Sequence, residues 1–268
     1  MKKQERQTAI VSILRERADC SVTELSARFG VSAVTIRKDL TELEQRGALT
    51  RSYGKATVLQ ENGPRAYACS VSPESFDDYQ KKQTIGQLAA ELVQDEDFLF
   101  IGPGYTCLEV AKNLRSKHRL TVITTNISAA AELADAPEIT LRIAPGDFTK
   151  RNGTYYVTGS AAAEYLSQTY FDKIFITVDA VSLERGFFVL DEVTAQIFRA
   201  IMKPCSQVFI CAVDAKFGKN ALTPLGPVQL AAAVVTNQAP GVEFAGSFAA
   251  AGVPVYFPGK PLLEQEEE

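Results

Sequence analysis

Along the first sixty residues, apolar positions recur with a helical period and break off at residues that end helices. Ile10, Ile13 and Leu14 form one apolar stripe. Ser21, followed three residues later by Glu24, has the spacing of a capping box and predicts a second helix from about Thr23 to Phe29, closed by Gly30. Ser32 is placed as the N-cap of a third helix, which buries Ile36, Leu40 and Leu43 at i, i+4 and i+7 and stops at Gly47. The alternation from Leu49 to Val58 around Gly54 predicts a hairpin, so residues 1–58 read as three helices followed by a wing.

Residues 59–78, with Gly63-Pro64 and Ser72-Pro73 among polar neighbours, read as a linker. Beyond them helical and strand-like segments alternate. A helix carrying Ile85, Leu88, Ala89 and Leu92 leads into Phe98-Leu99-Phe100-Ile101, and apolar runs follow at 120–123, 139–143, 174–178, 208–211, 234–235 and 253–257. Strands separated by helices predict an α/β domain over 79–268 with a doubly wound, mostly parallel sheet. Glu264 to Glu268 read as a solvated acidic tail.

Charge is divided between these parts. Residues 1–60 hold eleven Lys/Arg against seven Asp/Glu, net +4, and residues 61–268 hold seventeen against twenty-five, net −8, which together give the −4 of the chain. A small basic unit on a larger acidic one suits DNA contact confined to one end. No apolar run reaches the roughly 18 residues of a membrane span. Met1 to Arg6 lacks the apolar stretch of a signal peptide, so the expected compartment is the cytoplasm. The five cysteines (Cys20, Cys69, Cys107, Cys205, Cys211) are irregularly spaced without a C-x-x-C pair, and His118, in a basic turn, is the single histidine. This pattern predicts free thiols, no metal site and no imidazole catalysis.

In the third helix, the buried stripe turns Val34, Lys38 and Gln45 to the opposite side and Thr35 and Arg37 to the flanks. With Ser32 at its start, such a helix can read a major groove: Val34 or Thr35 against a thymine methyl, Lys38 donating to guanine. Arg37, with Arg51 and Lys55 on the wing, suits phosphates. Asp39 and Glu42 are expected to face backbone neighbours or the first two helices.

The run from Ser21 to Leu40, ending in Thr35-Ile36-Arg37-Lys38-Asp39-Leu40 and followed by Leu43-Glu44-Gln45-Arg46-Gly47 and Arg51, closely resembles the DeoR family of bacterial repressors. Lys38 stands where that family has a second arginine, and Lys55 where its wing has a second glycine. Lys82 to Gly86, Thr121 to Asn126, Phe171 to Phe175, Leu183 to Gly186 and Lys216-Phe217-Gly218 are similar to segments of the family's sensor domain. The resemblance implies a winged helix-turn-helix regulator, not an enzyme, whose sensor is related to ribose-5-phosphate isomerase. It implies a small effector, usually a phosphorylated sugar, double-stranded operator DNA as partner, and a homodimer or homotetramer. It also implies repression of a carbohydrate-metabolism operon, relieved by the effector, and no cofactor.

Within the sensor, the loop Gly102 to Cys107 lies between a strand and a helix and can present backbone N–H groups to an anion. Ligands of such sheets gather at the carboxyl ends of strands. Gly102, Gly104, Tyr105 and Thr106, with Asn126 from a second strand end, are the candidate ligand contacts, joined by Lys216 from the family's lysine motif. Lys82, Lys150 and Lys173 are further candidate anion partners. The sequence departs from the family here: Gly102 replaces an acid, Tyr105 a hydroxyl residue, Pro145-Gly146 a glycine pair and Thr194 a glutamate, and the acid before Lys216 is shifted to Asp214. Tyr105 either fits the site to a different ligand or packs over the loop. Two rival readings stand beside this one: an isomerase using Asp179, Asp191, Glu192 or Asp214 as its base, and a DNA-binding architectural protein without a ligand.

Overall fold

The structure, a computed structural model, describes residues 20–45, 49–52, 55–58, 76–151, 154–203 and 205–259, together with 3, 6, 7, 9, 10 and 13. The chain divides into two compact units, Met1–Ala68 and Cys69–Glu268. Most of the expected linker, together with Cys69 and the acidic tail, lies outside the described residues.

In the first unit, β1 (Cys20–Ser21) leads into α1 (Val22–Phe29), then α2 (Ala33–Gln45), β2 (Leu49–Ser52) and β3 (Lys55–Val58). The Glu24 N–H donates to Ser21 Oγ and the Ser21 N–H to the Glu24 carboxylate, so the capping box sets where α1 begins. Gly30 ends the helix at φ 62°, a left-handed conformation that glycine adopts without strain. Ser26 Oγ then donates to Val31 O (2.6 Å), and the Thr35 N–H donates to Ser32 Oγ (3.2 Å), which fixes the turn and starts α2. Ile10, Ile13, Val22, Leu25, Ile36, Leu40 and Leu43 form one buried cluster. β2 and β3 pair antiparallel from Leu49↔Val58 to Ser52↔Lys55 as a hairpin. The order β1-β3-β2 adds a strand that the sequence pattern did not announce, with Cys20 and Ser21 paired to Ala56 and Lys55.

The second unit includes α3 (Phe76–Glu91), which starts inside the stretch expected as linker. Asp77 and Asp78 form i,i+4 ion pairs with Lys81 and Lys82, and these support helix over 76–78. After α3 come β4 (Phe98–Ile101), α4 (Tyr105–Lys112), β5 (Leu120–Thr124), α5 (Ile127–Leu133), β6 (Ile139–Ile143), β7 (Asp147–Arg151), β8 (Thr154–Thr158), α6 (Ser160–Ser167) and β9 (Phe171–Thr177). The chain continues through β10 (Ala180–Ser182), β11 (Gly186–Val189), α7 (Glu192–Met202), β12 (Cys205–Cys211), β13 (Thr223–Gly226), β14 (Ala233–Val235), α8 (Val242–Ala250) and β15 (Val255–Tyr256).

Seven of these strands form one parallel sheet in the order β15-β14-β12-β9-β4-β5-β6. Burial on both faces explains the nearly continuous apolar character of the central strands, whereas the edge strand β6 is partly exposed along its length. Leu99, Ile101 and Phe175 cluster with Ile85 and Val110, while Phe100, Ile174 and Ile176 cluster with Leu166 and Phe198. The winding reverses between β4 and β9: the chain runs outward one way through β6 and the other way through β15. The carboxyl ends of β4 and β9 therefore flank a topological switch point. The hairpin β7-β8 and the sheet β10-β11-β13 stand apart from the parallel sheet and were not expected from the apolar runs.

At the amino ends of the strands, Lys173 and Asp97 form a buried ion pair (2.7 Å), and the Phe98 N–H donates to Asp172 (2.8 Å). Lys173 is thereby removed from the candidate anion partners. A lysine inside a buried strand needs a carboxylate, and Asp97 supplies it at the end of the sheet opposite the Gly102 loop. Among the described residues, no helix is long and apolar enough to cross a membrane.

Candidate functional site

α2 sorts its charges by face. Asp39, only 2% exposed, accepts from Arg6 Nε at 2.5 Å and Gln7 Nε2 at 3.3 Å. Glu42 accepts from Lys3 Nζ (2.6 Å) and Gln7 Nε2 (3.0 Å). Both acids thus serve the N-terminal stripe. On the other side Val34 is 68% exposed, and Ser32, Arg37 and Lys38 are exposed too. Among the described residues no ion pair holds Arg37 or Lys38. Thr35 is half-buried with its hydroxyl 3.0 Å from Ser32 Oγ, so these two hydroxyls also support the helix start. The side chains of Arg51 and Lys55 lie outside the described residues; their backbones sit on the hairpin, opposite Ala56 and Ser52. Cations outward and acids inward give this helix the polarity that a phosphate-lined groove demands.

A second constellation occupies the switch point. The Gly102 N–H donates to Phe175 O (2.9 Å), and a Cβ at this position would come 3.1 Å from Ile176 Cγ2, so the residue that replaces the family's acid is packed against β9. Gly104, at φ 97° and ψ 168°, is the N-cap of α4 and brings no side chain to its first amides. Those N–H groups have no intrahelical acceptor, and with the helix dipole they favour an anion. Thr106 is buried, and Tyr105 is half-buried with Lys82 Nζ 5.1 Å from its ring centroid. Lys82 also pairs with Asp78 at 2.5 Å.

Asn126, expected as a ligand contact, is engaged by the protein itself. It is fully buried; Oδ1 accepts from the Ser128 and Ala129 N–H groups and caps α5, while Nδ2 donates to Gly102 O (3.2 Å) and Gly104 O (2.9 Å). With two donors and two acceptor sites engaged, this side chain clamps the loop from beneath. Lys216 ends a 3-10 turn (Asp214–Lys216) after β12 and lies 3.7 Å from Asp179 Oδ1. Asp179, just past the carboxyl end of β9, also accepts the Leu190 N–H (2.9 Å). Gly102, Gly104, Tyr105 and Thr106 therefore share one turn, Asn126 meets it from the end of β5, and Lys216 arrives from the end of β12, two strands from β4.

Lys150 lies over the ring of Tyr155 on β8 (5.1 Å), on the hairpin that joins the end of β5 through the Val157 N–H to Thr125 O. Lys81, absent from the sequence candidates, reaches Asp77 (3.0 Å) and Asp214 (3.3 Å); its i,i+4 spacing from Asp77 was the available signal. The buried hydroxyls of Thr125 and Thr236, beyond the ends of β5 and β14, have no hydrogen-bond partner among the described residues. A buried hydroxyl without a protein partner leaves a hydrogen bond for water or another polar group to complete. All four rival catalytic bases have structural partners: Asp179 holds Lys216 and the Leu190 N–H, Asp214 holds Lys81, and the other two are engaged as well. Asp191 caps α7 by accepting the Thr194 N–H (2.8 Å), and Glu192 pairs with Arg199 (2.7 Å). Burial pushes the Cys107 thiol up to about 12, which leaves it protonated and a poor nucleophile. Among the described residues no cluster of His, Cys, Asp and Glu could hold a metal.

A helix-turn-helix whose second helix exposes Arg37 and Lys38, together with an α/β unit whose parallel sheet has a topological switch point, is the arrangement of a DNA-binding regulator with a sensor domain. The model of the DeoR-like helix-turn-helix domain matches residues 6–62, that of the DeoR C terminal sensor domain matches residues 77–238, and the chain belongs to the DeoR family of transcriptional regulators. Among its relatives is the transcriptional repressor AccR of Agrobacterium fabrum, 28% identical over 87% of this chain and 89% of that protein. Another is the glycerol-3-phosphate regulon repressor of Escherichia coli, 26% identical over 91% of this chain and 94% of that protein. A solved ribose 5-phosphate isomerase A from Methanocaldococcus jannaschii is similar at a TM-score of 0.37 and 18% identity, over 53% of this chain and 55% of that one.

Proposed function

We propose that the chain represses a carbohydrate-metabolism operon in the cytoplasm and releases its operator when a small, phosphosugar-like effector binds the switch-point crevice. Residues 1–58 bind DNA, and the sensing part begins with α3 at Phe76, three residues before the boundary expected from the sequence. Val34, Thr35 and Lys38 read base edges, Ser32 and Arg37 hold the backbone, and Arg51 and Lys55 add phosphate contacts from the wing. Gly102, Gly104, Tyr105 and Thr106 receive the effector, Lys216 balances its charge, and Asn126 supports the loop. The chain acts as a homodimer or homotetramer, which places reading helices on neighbouring half-sites. One observation carries this reading: the uncapped first turn of α4 lies at the switch point, where Lys82 and Lys216 supply the cations.

The test is selection of duplexes from a random pool by the full-length protein, then gel shifts with and without sugar phosphates. Enrichment of a sequence whose complex dissociates on adding one of them is expected. Failure to enrich any sequence would overturn the regulator reading, and an enriched complex indifferent to every sugar phosphate would overturn the effector class.

A further inference from the structure

α3 is held in two different ways along its length. Ile85, Ala89 and Ala90 are buried in the sheet's helix layer, and Gly86 lies so close to α4 that a Cβ would come 2.5 Å from the Glu109 carbonyl carbon. From Asp77 to Thr84, by contrast, no residue is fully buried. That first half is held by polar contacts: Lys81 to Asp214, Lys82 to the Tyr105 ring, and the Tyr79 ring to Lys112 Nζ (5.7 Å). Two of these three reach the carboxyl ends of the strands, since Tyr105 opens α4 and Asp214 begins the turn that ends in Lys216.

We propose that α3 transmits effector occupancy to the DNA-binding unit, pivoting at Gly86 while Lys81 and Lys82 change partners at the crevice. The proposal rests on the crevice being the effector site. An anion seated on the α4 amides beside Tyr105 attracts Lys82 away from Asp78, and one reaching Lys216 disturbs the Asp179–Lys216 and Asp214–Lys81 contacts. Partly exposed ion pairs are weak and exchange readily, whereas a backbone-to-backbone contact such as that at Gly86 resists shear. The helix therefore responds at its start and holds at its middle. Its start is the end of α3 that the chain reaches from the DNA-binding unit, so the responsive half is the one nearest that unit in sequence.

The experiment reads hydrogen exchange peptide by peptide in the full-length protein, using a duplex that the wild type selects from a random pool. Binding of that duplex to the wild type should slow exchange over residues 76–84, because coupling between two sites is reciprocal. Lys81→Met and Asp214→Asn should each speed exchange there by about fivefold, leave β4 and β9 unchanged, and shift duplex affinity by about threefold or more. No change over 76–84 when the wild type binds the duplex overturns the proposal, even if neither variant folds. Faster exchange without a change in affinity overturns it equally. The crevice is judged separately: inorganic phosphate should slow exchange over residues 102–108 in the wild type, and its failure to do so would overturn the site rather than the role of α3.

Discussion

Arg6 Nε lies 2.5 Å from Asp39 Oδ2, and both side chains are buried. The acid inside the Thr-Ile-Arg-Lys-Asp-Leu stretch therefore turns away from the exposed Arg37 and Lys38 and anchors α2 to Arg6 and Gln7. Asp39→Ala leaves a buried guanidinium without its partner, and the first unit should lose roughly 2–4 kcal/mol. Urea unfolding followed by circular dichroism measures this, and DNA affinity should fall although Asp39 faces away from DNA. An unchanged midpoint would show that water replaces the carboxylate at no cost.

Arg37 and Lys38 are neighbours with different expected roles. Arg37→Ala should weaken binding to all duplexes alike and reduce the dependence of log affinity on log salt by about one unit. Lys38→Ala should instead alter which base is preferred at one position, with about 1–3 kcal/mol lost on the selected sequence. Gel shifts on single-base variants of the selected duplex separate the two. Wild-type behaviour in both substitutions would remove α2 as the reading helix.

Asn126 joins the Gly102–Gly104 loop to the cap of α5 through four hydrogen bonds. Asn126→Ala should cost about 3 kcal/mol, since two carbonyls and two amides lose a buried partner together. Thermal unfolding of the full chain reads the loss. A shift in melting temperature no larger than that of a surface substitution would mean that the loop holds its shape unaided.

The thiols provide a pH-dependent prediction. Cys205 is half-buried, and burial raises it to about 11, whereas Cys107 and Cys211 are completely buried and also raised. A raised thiol stays protonated and slow at neutral pH, so iodoacetamide labelling of Cys205 should climb roughly tenfold per pH unit up to that value. Cys107 and Cys211 should label only on unfolding. Mass spectrometry of the three cysteine peptides follows each rate, and rapid labelling of Cys205 near neutrality would contradict the burial.

Much of this architecture is legible in the sequence because its determinants are local. Ser21 with Glu24, Gly30 and Ser32 name the helix ends directly, and strands covered on both faces announce themselves as apolar runs. β1 was not legible because two residues paired with Ala56 and Lys55 leave no period to detect. The hairpin β7-β8 mixes Asp147, Thr149 and Lys150 with aromatics and owes its pairing to tertiary context. Lys173 illustrates the limit at the site. Its residue type suggests an anion partner, and only a contact with Asp97, 76 residues earlier, reveals a structural role. Asn126 was placed at the correct turn, but which way its amide points depends on carbonyls from another strand.

Because all seven strands run in one direction, the two ends of the sheet have become different kinds of surface. The amino ends are fastened by Asp97 to Lys173 and by Asp172 to the Phe98 amide. The carboxyl ends release, side by side, the segments that hold Tyr105, Asp179 and Lys216. Under the proposed function, stability and recognition are housed at opposite rims of one scaffold. Substitutions at the carboxyl rim then change what is recognised with no revision of the fastenings that let the sheet assemble.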